Sequence, residues 1–422
     1  MKSIFEETPV NRYLDVLEED SIVLMAGAPN IAPNGLDATE CARLKDCGIN
    51  ALSATITTSE VKSTLANCHA NGLKLYLGNA SLFNNLTSCR NVVNSYKNLD
   101  GLGGWMLKQQ ISYNEIIKES VNDEDLPNYS LSNSLINETD GKHPVFVGLD
   151  GDWSSKSGYL NGKSFPEYLA EFQKRFSPSF FPYIYLPIRD GEAMNSERYS
   201  VYYRNLSYFA EVSRYTSVPF WVYCRCVALH NYNGFSAGIT TERQLRSIVF
   251  SSLAYGAQGI YYWNYRQQSL NGTYTDAPVS FDGNIVTDVW QYLKNVNLEV
   301  RAFNSVFAGC EHIETRHLSS TITGLKGFDH PMGPLLSIVS QNGSSLEIQV
   351  SHINKGGVDY LVVMPNINVA ETSRQKVTLN FSEYWEVSII EKSGSSYVTK
   401  KLTSQALEKE LGRGDYLIFT WK

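Results

Sequence analysis

The chain has 422 residues, of which 43% are hydrophobic and 19% are charged, and its formal net charge is −7. The length predicts about two domains with well-filled cores. The composition excludes an intrinsically disordered chain. The acidic balance excludes nucleic acid as the main partner, because phosphate binding needs a dense surface of lysine and arginine. No stretch approaches the roughly eighteen consecutive apolar residues of a membrane helix, so we expect no membrane span.

The seven cysteines do not indicate a disulfide framework, because their number is odd and the chain is long. Cys224 and Cys226 form a C-x-C motif inside an apolar run, but no second Cys/His pair with zinc spacing accompanies them. We therefore expect buried free thiols and no metal site. No cofactor is expected either, since the turn Ala28-Pro29-Asn30 after the first strand lacks the glycines of a dinucleotide fingerprint.

Short apolar runs alternate with helical patterns over the first three quarters of the chain. The predicted strands are residues 21–28, 49–54, 73–80, 103–109, 145–149, 183–188, 220–227 and 260–265. The predicted helices are residues 38–47, 61–70, 89–97, 113–121, 165–176, 198–215, 241–255 and 290–303, with a polar surface loop at 122–134. Strand–helix units repeated in strict order predict an α/β fold, the TIM (β/α)8 barrel. A barrel has no free edge, so we expect its first and eighth strands to pair.

The pattern changes after about residue 312. Strands without intervening helices are predicted at residues 335–339, 346–351, 360–364, 375–381, 386–390 and 416–421. Turn signals such as Asn342-Gly343 and Gly356-Gly357 divide them. Repeated strands of this kind predict an antiparallel β-sandwich. We place a barrel domain at residues 1–310 and an all-β sandwich domain at residues 311–422.

Three stretches resemble the clan A (β/α)8 glycoside hydrolases. Residues 102–108 (LGGWMLK) resemble the fourth strand of these enzymes, and residues 244–265 (QLRSIVFSSLAYGAQGIYYWNY) resemble the seventh helix and eighth strand of family-42-like and family-5-like proteins of gut bacteria. Residues 277–303, with Asp282-Gly283, resemble the segment after the eighth strand. The resemblance implies action on glycosidic bonds of an oligosaccharide or polysaccharide.

The resemblance also implies export to the periplasm or cell surface. The first twenty residues are charged and lack an apolar signal core, so a cytoplasmic protein and a mature form without its signal both stay open.

The chain departs from the family at both catalytic positions. In the family the fourth strand typically ends in Asp-Glu-Pro, whose Glu is the acid/base, but here the residues are Gln109, Gln110 and Ile111. A glutamine amide has no titratable proton and cannot protonate a leaving oxygen. The family's nucleophilic Glu ends the seventh strand, where this chain has Arg225 between two cysteines. The sequence therefore predicts that the standard retaining mechanism is absent.

Other carboxylates follow the neighbouring strands. Asp150 and Asp152 come after the fifth predicted strand, and Asp190 and Glu192 come after the sixth. Two acids on different loops of a barrel mouth can flank a glycosidic bond, one as acid and one as base. The alternative is that these acids are solvated or cap the next helix.

Aromatic and polar residues at strand ends are the candidates for binding a saccharide. Aromatic residues make up 12% of the chain, which fits either a groove of flat rings for sugars or tyrosine-rich packing. Trp263 and Tyr265 alternate on the eighth strand, so we expect both on one side of it, in the lumen or against the helices. Arg225 needs a carboxylate or substrate partner if it is buried, unless it forms a structural ion pair. The substrate-binding candidates are Gln109, Gln110, Trp153, Arg225, His230, Trp263 and Tyr265.

Two hypotheses follow from these candidates. The first is a glycoside hydrolase with a non-standard carboxylate pair. The second is a catalytically degenerate barrel that binds glycans without hydrolysing them. The two differ in whether a pair of carboxyl groups about 5–9.5 Å apart faces one cleft.

Overall fold

The computed structural model describes residues 21–30, 36–118, 128–152, 158–188, 196–232 and 234–422. Its N-terminal part alternates strands and helices as β1 (Val23–Asn30), α1 (Ala38–Asp46), β2 (Ala51–Thr55), α2 (Val61–Ala70), β3 (Lys74–Gly78), α3 (Ser81–Asn84), α4 (Leu86–Tyr96), β4 (Leu102–Ile111), α5 (Tyr113–Ile117), α6 (Tyr129–Thr139), β5 (Val145–Asp150), α7 (Phe165–Phe176), β6 (Phe181–Ile184), α8 (Ser196–Thr216), β7 (Phe220–Arg225), β8 (Ala228–Tyr232), β9 (Phe235–Ala237), α9 (Glu242–Ala254), β10 (Gly259–Trp263), β11 (Tyr274–Thr275), α10 (Asp288–Ala302) and α11 (Asn304–Phe307). A short 3-10 helix, Thr58–Glu60, precedes α2.

Eight parallel strands close into a barrel in the order β1-β10-β7-β6-β5-β4-β3-β2. The predicted pairing of the first and eighth strands is confirmed, because Val23 is opposite Gly259 and Ala26 is opposite Tyr262. The fold is therefore a TIM barrel. The remaining short strands form a separate sheet in the order β11-β8-β9.

One stretch that was expected to be a loop contains a helix. The predicted loop at 122–134 overlaps α6, which begins after Asn128 and buries Leu135 and Ile136. Asn128 caps this helix by accepting a hydrogen bond from the amide of Leu131. The prediction was wrong because only four of the eleven residues of α6 are apolar, so its apolar face is hard to recognise in the sequence.

The lumen of the barrel is filled by aromatic side chains. Phe146 packs against Tyr76, Trp221, Tyr223 and Tyr261, with ring centroids 5.4–6.4 Å apart. Tilted and edge-to-face contacts of this kind are the favoured geometries of aromatic pairs. A second, larger core lies between the strands and the surrounding helices. The barrel is thus a packed core and not a pore.

The C-terminal part is an antiparallel sandwich of nine strands among the residues from 311 to 422. They are β12 (Glu311–Leu318), β13 (Leu335–Ser340), β14 (Ile348–Lys355), β15 (Val358–Pro365), β16 (Arg374–Phe381), β17 (Val387–Ser393), β18 (Ser396–Lys401), β19 (Ala406–Gly412) and β20 (Leu417–Trp421). One sheet has the order β12-β14-β15-β20-β17-β18 and the other β13-β16-β19. The predicted sandwich is confirmed, although β12, β18 and β19 were not predicted because none of them contains a run of more than two consecutive apolar residues.

Buried hydrogen bonds join the sandwich to the barrel. The hydroxyl of Tyr255 donates to Nε2 of His317 over 2.9 Å, and Nδ1 of His317 donates to Oδ1 of Asn366 over 2.8 Å. Tyr203 of α8 accepts a hydrogen bond from the amide of Ile367. Because His317 uses both ring nitrogens in neutral-state hydrogen bonds, a proton on the ring would break the first of them. Burial lowers the pKa of His317 to about 4.

We expect stability to fall as His317 becomes protonated in the unfolded chain. The unfolded histidine titrates near pH 6.5, so below that pH the unfolded state binds more protons than the folded state, and the free energy of unfolding falls by up to about 1.4 kcal/mol per pH unit until pH is near the folded pKa. His317→Gln removes this contribution. Urea unfolding of both proteins between pH 7 and pH 4 measures it, and equal losses of stability would contradict the assignment.

Candidate functional site

The C-terminal mouth of the barrel has a floor of two stacked tyrosines. The rings of Tyr223 and Tyr261 lie 4.3 Å apart at 28°. The hydroxyl of Tyr223 donates to the carbonyl of Gln109 over 3.0 Å, and the hydroxyls of Tyr261 and Ser53 are 2.8 Å apart. A Cβ on Gly148 would lie 1.9 Å from the carbonyl oxygen of Gln109, so only glycine allows β4 to approach β5 this closely.

The end of β4, where the sequence resemblance predicts the acid/base position, is irregular. The pairing of β4 with β5 shifts register between Met106 and Ile111, a stretch that contains both glutamines. The buried side-chain amide of Gln109 lies within hydrogen-bonding range of the hydroxyl of Tyr261. Gln110 is half-buried, and its carbonyl accepts a hydrogen bond from Tyr159 over 3.3 Å. The projection of the Gln110 side chain into the mouth stays a prediction.

Arg225 ends β7 and binds backbone carbonyls. Its Nη1 lies 2.5 Å from the oxygen of Val227 and 2.8 Å from the oxygen of Gly238. The side chain is buried, at 5% exposure. A guanidinium has only donors, so these carbonyls are well-matched partners for it. Arg225 thus anchors the chain segment that leaves β7, carries β8 and β9, and returns to α9.

Trp263 and Tyr265 lie on opposite sides of the barrel wall, and the expectation that they share one side was wrong. Trp263 belongs to the core of the lumen, whereas Tyr265 packs among the helices and accepts a hydrogen bond from Nε1 of Trp290 on α10. The reason is that β10 ends at Trp263, so the alternation of a strand does not extend to Tyr265. The peptide bond between Trp263 and Asn264 is cis. Tyr265 therefore does not floor the mouth.

The sheet of β8, β9 and β11 lies over Trp263. Tyr232 and Tyr274 pack edge-to-face against its ring with centroids 5.7 and 6.1 Å away, and Trp263 is only 5% exposed. Both tyrosines are half-buried, so each keeps part of its ring accessible. His230 lies on this sheet, is exposed, and contacts the hydroxyl of Thr275 over 2.9 Å.

The two aspartates at the end of β5 lie in different environments. Asp150 is fully buried, and one of its carboxylate oxygens accepts a hydrogen bond from the amide of Gly151. Burial, with a contribution from Asp150, raises the pKa of Tyr159 well above its usual range. Asp152 instead pairs with Arg204 of α8, whose Nε lies 2.7 Å from its carboxylate. Trp153, Asp190 and Glu192 lie outside the described residues.

Sequence reasoning missed several residues around the mouth. Tyr159, Tyr232 and Tyr274 lie in loops and short strands between the barrel units, where no periodic pattern singles them out. Asn264 follows directly after β10, is fully buried, and has no hydrogen-bond partner for either amide atom among the described residues. Buried polar groups are nearly always hydrogen-bonded, so the side-chain amide of Asn264, which has no partner, requires an explanation.

The described residues contain no cluster of three or more histidine, cysteine, aspartate or glutamate side chains that could hold a metal ion. Within the same residues, no helix is both long enough and apolar enough to cross a membrane. All seven cysteines are buried, and none of them forms a disulfide bond.

The chain has the fold of solved glycoside hydrolases. It matches a β-galactosidase from Bacillus circulans sp. alkalophilus with a TM-score of 0.60 and 8% identity, over 96% of this chain and 100% of that chain. A catalytic mutant of a GH42 β-galactosidase from G. stearothermophilus gives a TM-score of 0.59 and 8% identity, over 96% and 99%. These neighbours are clan A (β/α)8 enzymes, and the likeness at such identity is one of fold.

The chain spans 60% of the length of a third similar structure, the β-galactosidase from the psychrophilic Marinomonas ef1, with a TM-score of 0.47 and 11% identity over 67% of this chain. No protein-family model and no curated protein sequence matches the chain.

Replacing Arg225 should destabilise the segment over the mouth. In Arg225→Met the carbonyls of Val227 and Gly238 lose their donor while the hydrophobic stem is kept, and a buried acceptor without a partner costs about 1–3 kcal/mol. Arg225→Lys retains one donor group and should lose less. Denaturant unfolding measures both losses, and no loss for Arg225→Met would contradict the anchoring role.

Proposed function

We propose that this chain is a glycoside-hydrolase-like, carbohydrate-active protein that binds an oligosaccharide or polysaccharide at the C-terminal mouth of its barrel. We propose further that it does not hydrolyse the glycan by the retaining carboxylate pair of its fold neighbours. The single observation that carries this proposal is the chemistry at the ends of β4 and β7. Gln109 and Gln110 stand at one position, and Arg225, bound to backbone carbonyls, stands at the other.

Both steps of the retaining mechanism need a carboxyl group at these positions. The acid/base must release a proton to the leaving oxygen, which an amide cannot do. The nucleophile must be an anion within about 5–5.5 Å of that acid. Arg225 is a cation and its guanidinium is already engaged, so it supplies no electron pair to an anomeric carbon.

The mouth offers the two kinds of group that bind sugars. Half-buried rings of Tyr159, Tyr232 and Tyr274 provide flat surfaces for the C–H face of a pyranose. The amide of Asn264, which has no partner among the described residues, provides donors and an acceptor for hydroxyl groups. A ligand that binds this amide would satisfy polar atoms that are otherwise buried without partners.

A second candidate function is hydrolysis by a different carboxylate pair. Asp150 ends β5, the strand beside β6, and Asp190 and Glu192 follow β6 in the sequence. A buried carboxyl group at a strand end is the kind of residue that serves as a general acid. Asp152 is a poorer candidate, because its carboxylate is paired with Arg204.

We expect the tyrosines of the short sheet to contribute to glycan affinity. Titration of a panel of plant, host and bacterial oligosaccharides identifies a ligand for the wild type. Tyr232→Ala and Tyr274→Ala should each lower its affinity about fivefold, because each removes a stacking surface worth about 1 kcal/mol. The matched control is Tyr292→Ala, a half-buried tyrosine on the outer helix α10.

The same panel separates the two candidate functions. Products released by wild type but not by Asp150→Asn, Asp190→Asn or Glu192→Gln would favour the hydrolase. Binding without products favours the degenerate barrel. Failure of every glycan to bind, or equal affinity in all three tyrosine variants, would contradict the groove.

Restoring a carboxyl group at the end of β4 should introduce weak general-acid catalysis. Gln110→Glu puts an ionisable group where the family carries its acid, and general acids typically contribute about 100-fold or more. Without a nucleophile on β7 we expect a smaller gain, about tenfold over wild type. Release of phenol from phenyl glycosides measures this gain, with dinitrophenyl glycosides as the control because their leaving group needs no acid. Equal rates for Gln110→Glu and wild type would contradict the alignment of β4.

A further inference from the structure

Two aromatic side chains are exposed on the turn that joins the two sheets of the sandwich. Tyr384 and Trp385, the aromatic pair, lie between β16 and β17. Tyr384 is 87% exposed, which is the largest exposure of any large hydrophobic side chain among the described residues, and Trp385 is 45% exposed. Trp385 is also the one exposed tryptophan in the part of the chain that the structure describes. Single exposed apolar residues are ordinary, but adjacent exposed rings indicate an interaction site.

The side chains of the aromatic pair are free to bind a ligand. Neither the hydroxyl of Tyr384 nor Nε1 of Trp385 makes a hydrogen bond to a described residue, and neither ring packs on another ring. The backbone fixes the turn, since the amide of Tyr384 donates to the hydroxyl of Ser382 over 3.3 Å and the amide of Ser382 donates to the carbonyl of Pro334 over 2.8 Å. A ring with a donor at its edge can stack on the C–H face of a sugar and bind a neighbouring hydroxyl group.

The exposed face of β16 beside the turn carries amide and hydroxyl groups. Nδ2 of Asn380 donates to the hydroxyl of Ser337 over 3.0 Å, and Nε2 of Gln341 donates to the hydroxyl of Thr378 over 3.3 Å. These side chains lie on the solvent side of the sheet, because the alternate residues of β16 fill the core between the two sheets. Each of these groups has further hydrogen-bonding capacity for the hydroxyl groups of a sugar.

The aromatic pair lies away from the glycan mouth. Val387, directly after the turn, is opposite Trp421 at the end of β20. The registers of β20, β15, β14 and β12 place this end of the sheet at the start of β12. There His312 stacks on Tyr255, which follows the last residue of α9. The helices of a TIM barrel run against its strands and end at the N-terminal face, so the pair lies toward the face opposite the mouth.

Area and charge distinguish a glycan from other partners. The exposed fractions correspond to roughly 200–330 Å², if each aromatic side chain can bury 150–250 Å². A stable protein partner buries roughly 800 Å² on each side, so the pair is too small to hold one. Glu386, next to the pair, forms an ion pair with Lys401 over 2.8 Å, which leaves no excess of positive charge for an anionic lipid surface. A neutral sugar needs only the rings and the polar groups beside them.

We propose that the aromatic pair and the exposed face of β16 bind a chain of a neutral polysaccharide outside the barrel. Sugar rings stack on Tyr384 and Trp385, and sugar hydroxyl groups bind the amides and hydroxyls of β13 and β16. The choice of a glycan as the partner rests on the proposed function, although the site itself is separate from the mouth. A second contact of this kind raises the affinity for a long chain and not for a short oligosaccharide.

Native electrophoresis of the full chain in gels that contain a polysaccharide tests this site, with β-glucan, galactan, xylan and amylose as probes. We expect at least one of them to retard the wild type. Tyr384→Ala should raise the dissociation constant about fivefold, which corresponds to the loss of one stacking contact. Tyr384→Phe keeps the ring and should retain most of the affinity. The matched control is Val358→Ala, which removes apolar surface that is 44% exposed at the start of β15 and should change nothing.

The high exposure of Tyr384 means that Tyr384→Ala should leave the melting temperature unchanged, so that lost retardation reports a lost contact. Absence of retardation by every polysaccharide, or equal retardation of wild type and Tyr384→Ala, would overturn the proposal. An equal loss in Val358→Ala would overturn it as well, because the binding would then be non-specific. A dimer in sedimentation that Tyr384→Ala dissociates would assign the pair to a second copy of the chain instead. Failure of the proposed function alone gives a different result: short oligosaccharides do not bind, but retardation persists and depends on Tyr384.

Discussion

Filling of the barrel lumen is the constraint on which the rest of the structure depends. A closed sheet of eight strands encloses a space that side chains must occupy at the density of a protein core. This chain fills it with large rings, and small residues must stand opposite them. A Cβ on Gly27 would lie 2.6 Å from the ring of Tyr261, and one on Gly259 would lie 2.5 Å from the ring of Trp221. The glycines of β1 and β10 are therefore requirements of the aromatic filling.

The filling of the lumen also determines which residue stands at the end of β7. Tyr223 faces the lumen, and Arg225 is two residues further along the same strand, at the level of the mouth. Its guanidinium binds the carbonyls of Val227 and Gly238 and so ties down the segment that carries β8 and β9. A carboxylate at position 225 has acceptors only and would repel those carbonyls. The cover that brings Tyr232 onto Trp263 thus depends on the cation at position 225.

Much of this architecture could be predicted from sequence, because buried parallel strands are nearly continuous apolar runs. The closure of β1 against β10 followed from strand count alone. Tertiary details did not follow. Tyr265 was misassigned because the alternation of β10 was extended two residues past its end at Trp263. Arg225 could not be assigned because the partners described for it are backbone carbonyls. Such carbonyls leave no trace in residue identity. Strands β18 and β19 were missed because neither contains a run of more than two consecutive apolar residues.

The position of the unpaired polar atoms indicates where this barrel gives up stability. In the middle of the lumen the hydroxyls of Tyr223 and Tyr261 are satisfied. Among the described residues, unpartnered atoms include the amide of Asn264 beyond the last barrel strand and the hydroxyl of Tyr76 in β3. Each costs about 1–3 kcal/mol, a large share of the 5–15 kcal/mol that typically holds a domain together. The cost is tolerable because the sandwich adds buried contacts, such as the Phe250–Tyr416 stack at 4.0 Å. A barrel supported in this way can tolerate unsatisfied polar groups such as these.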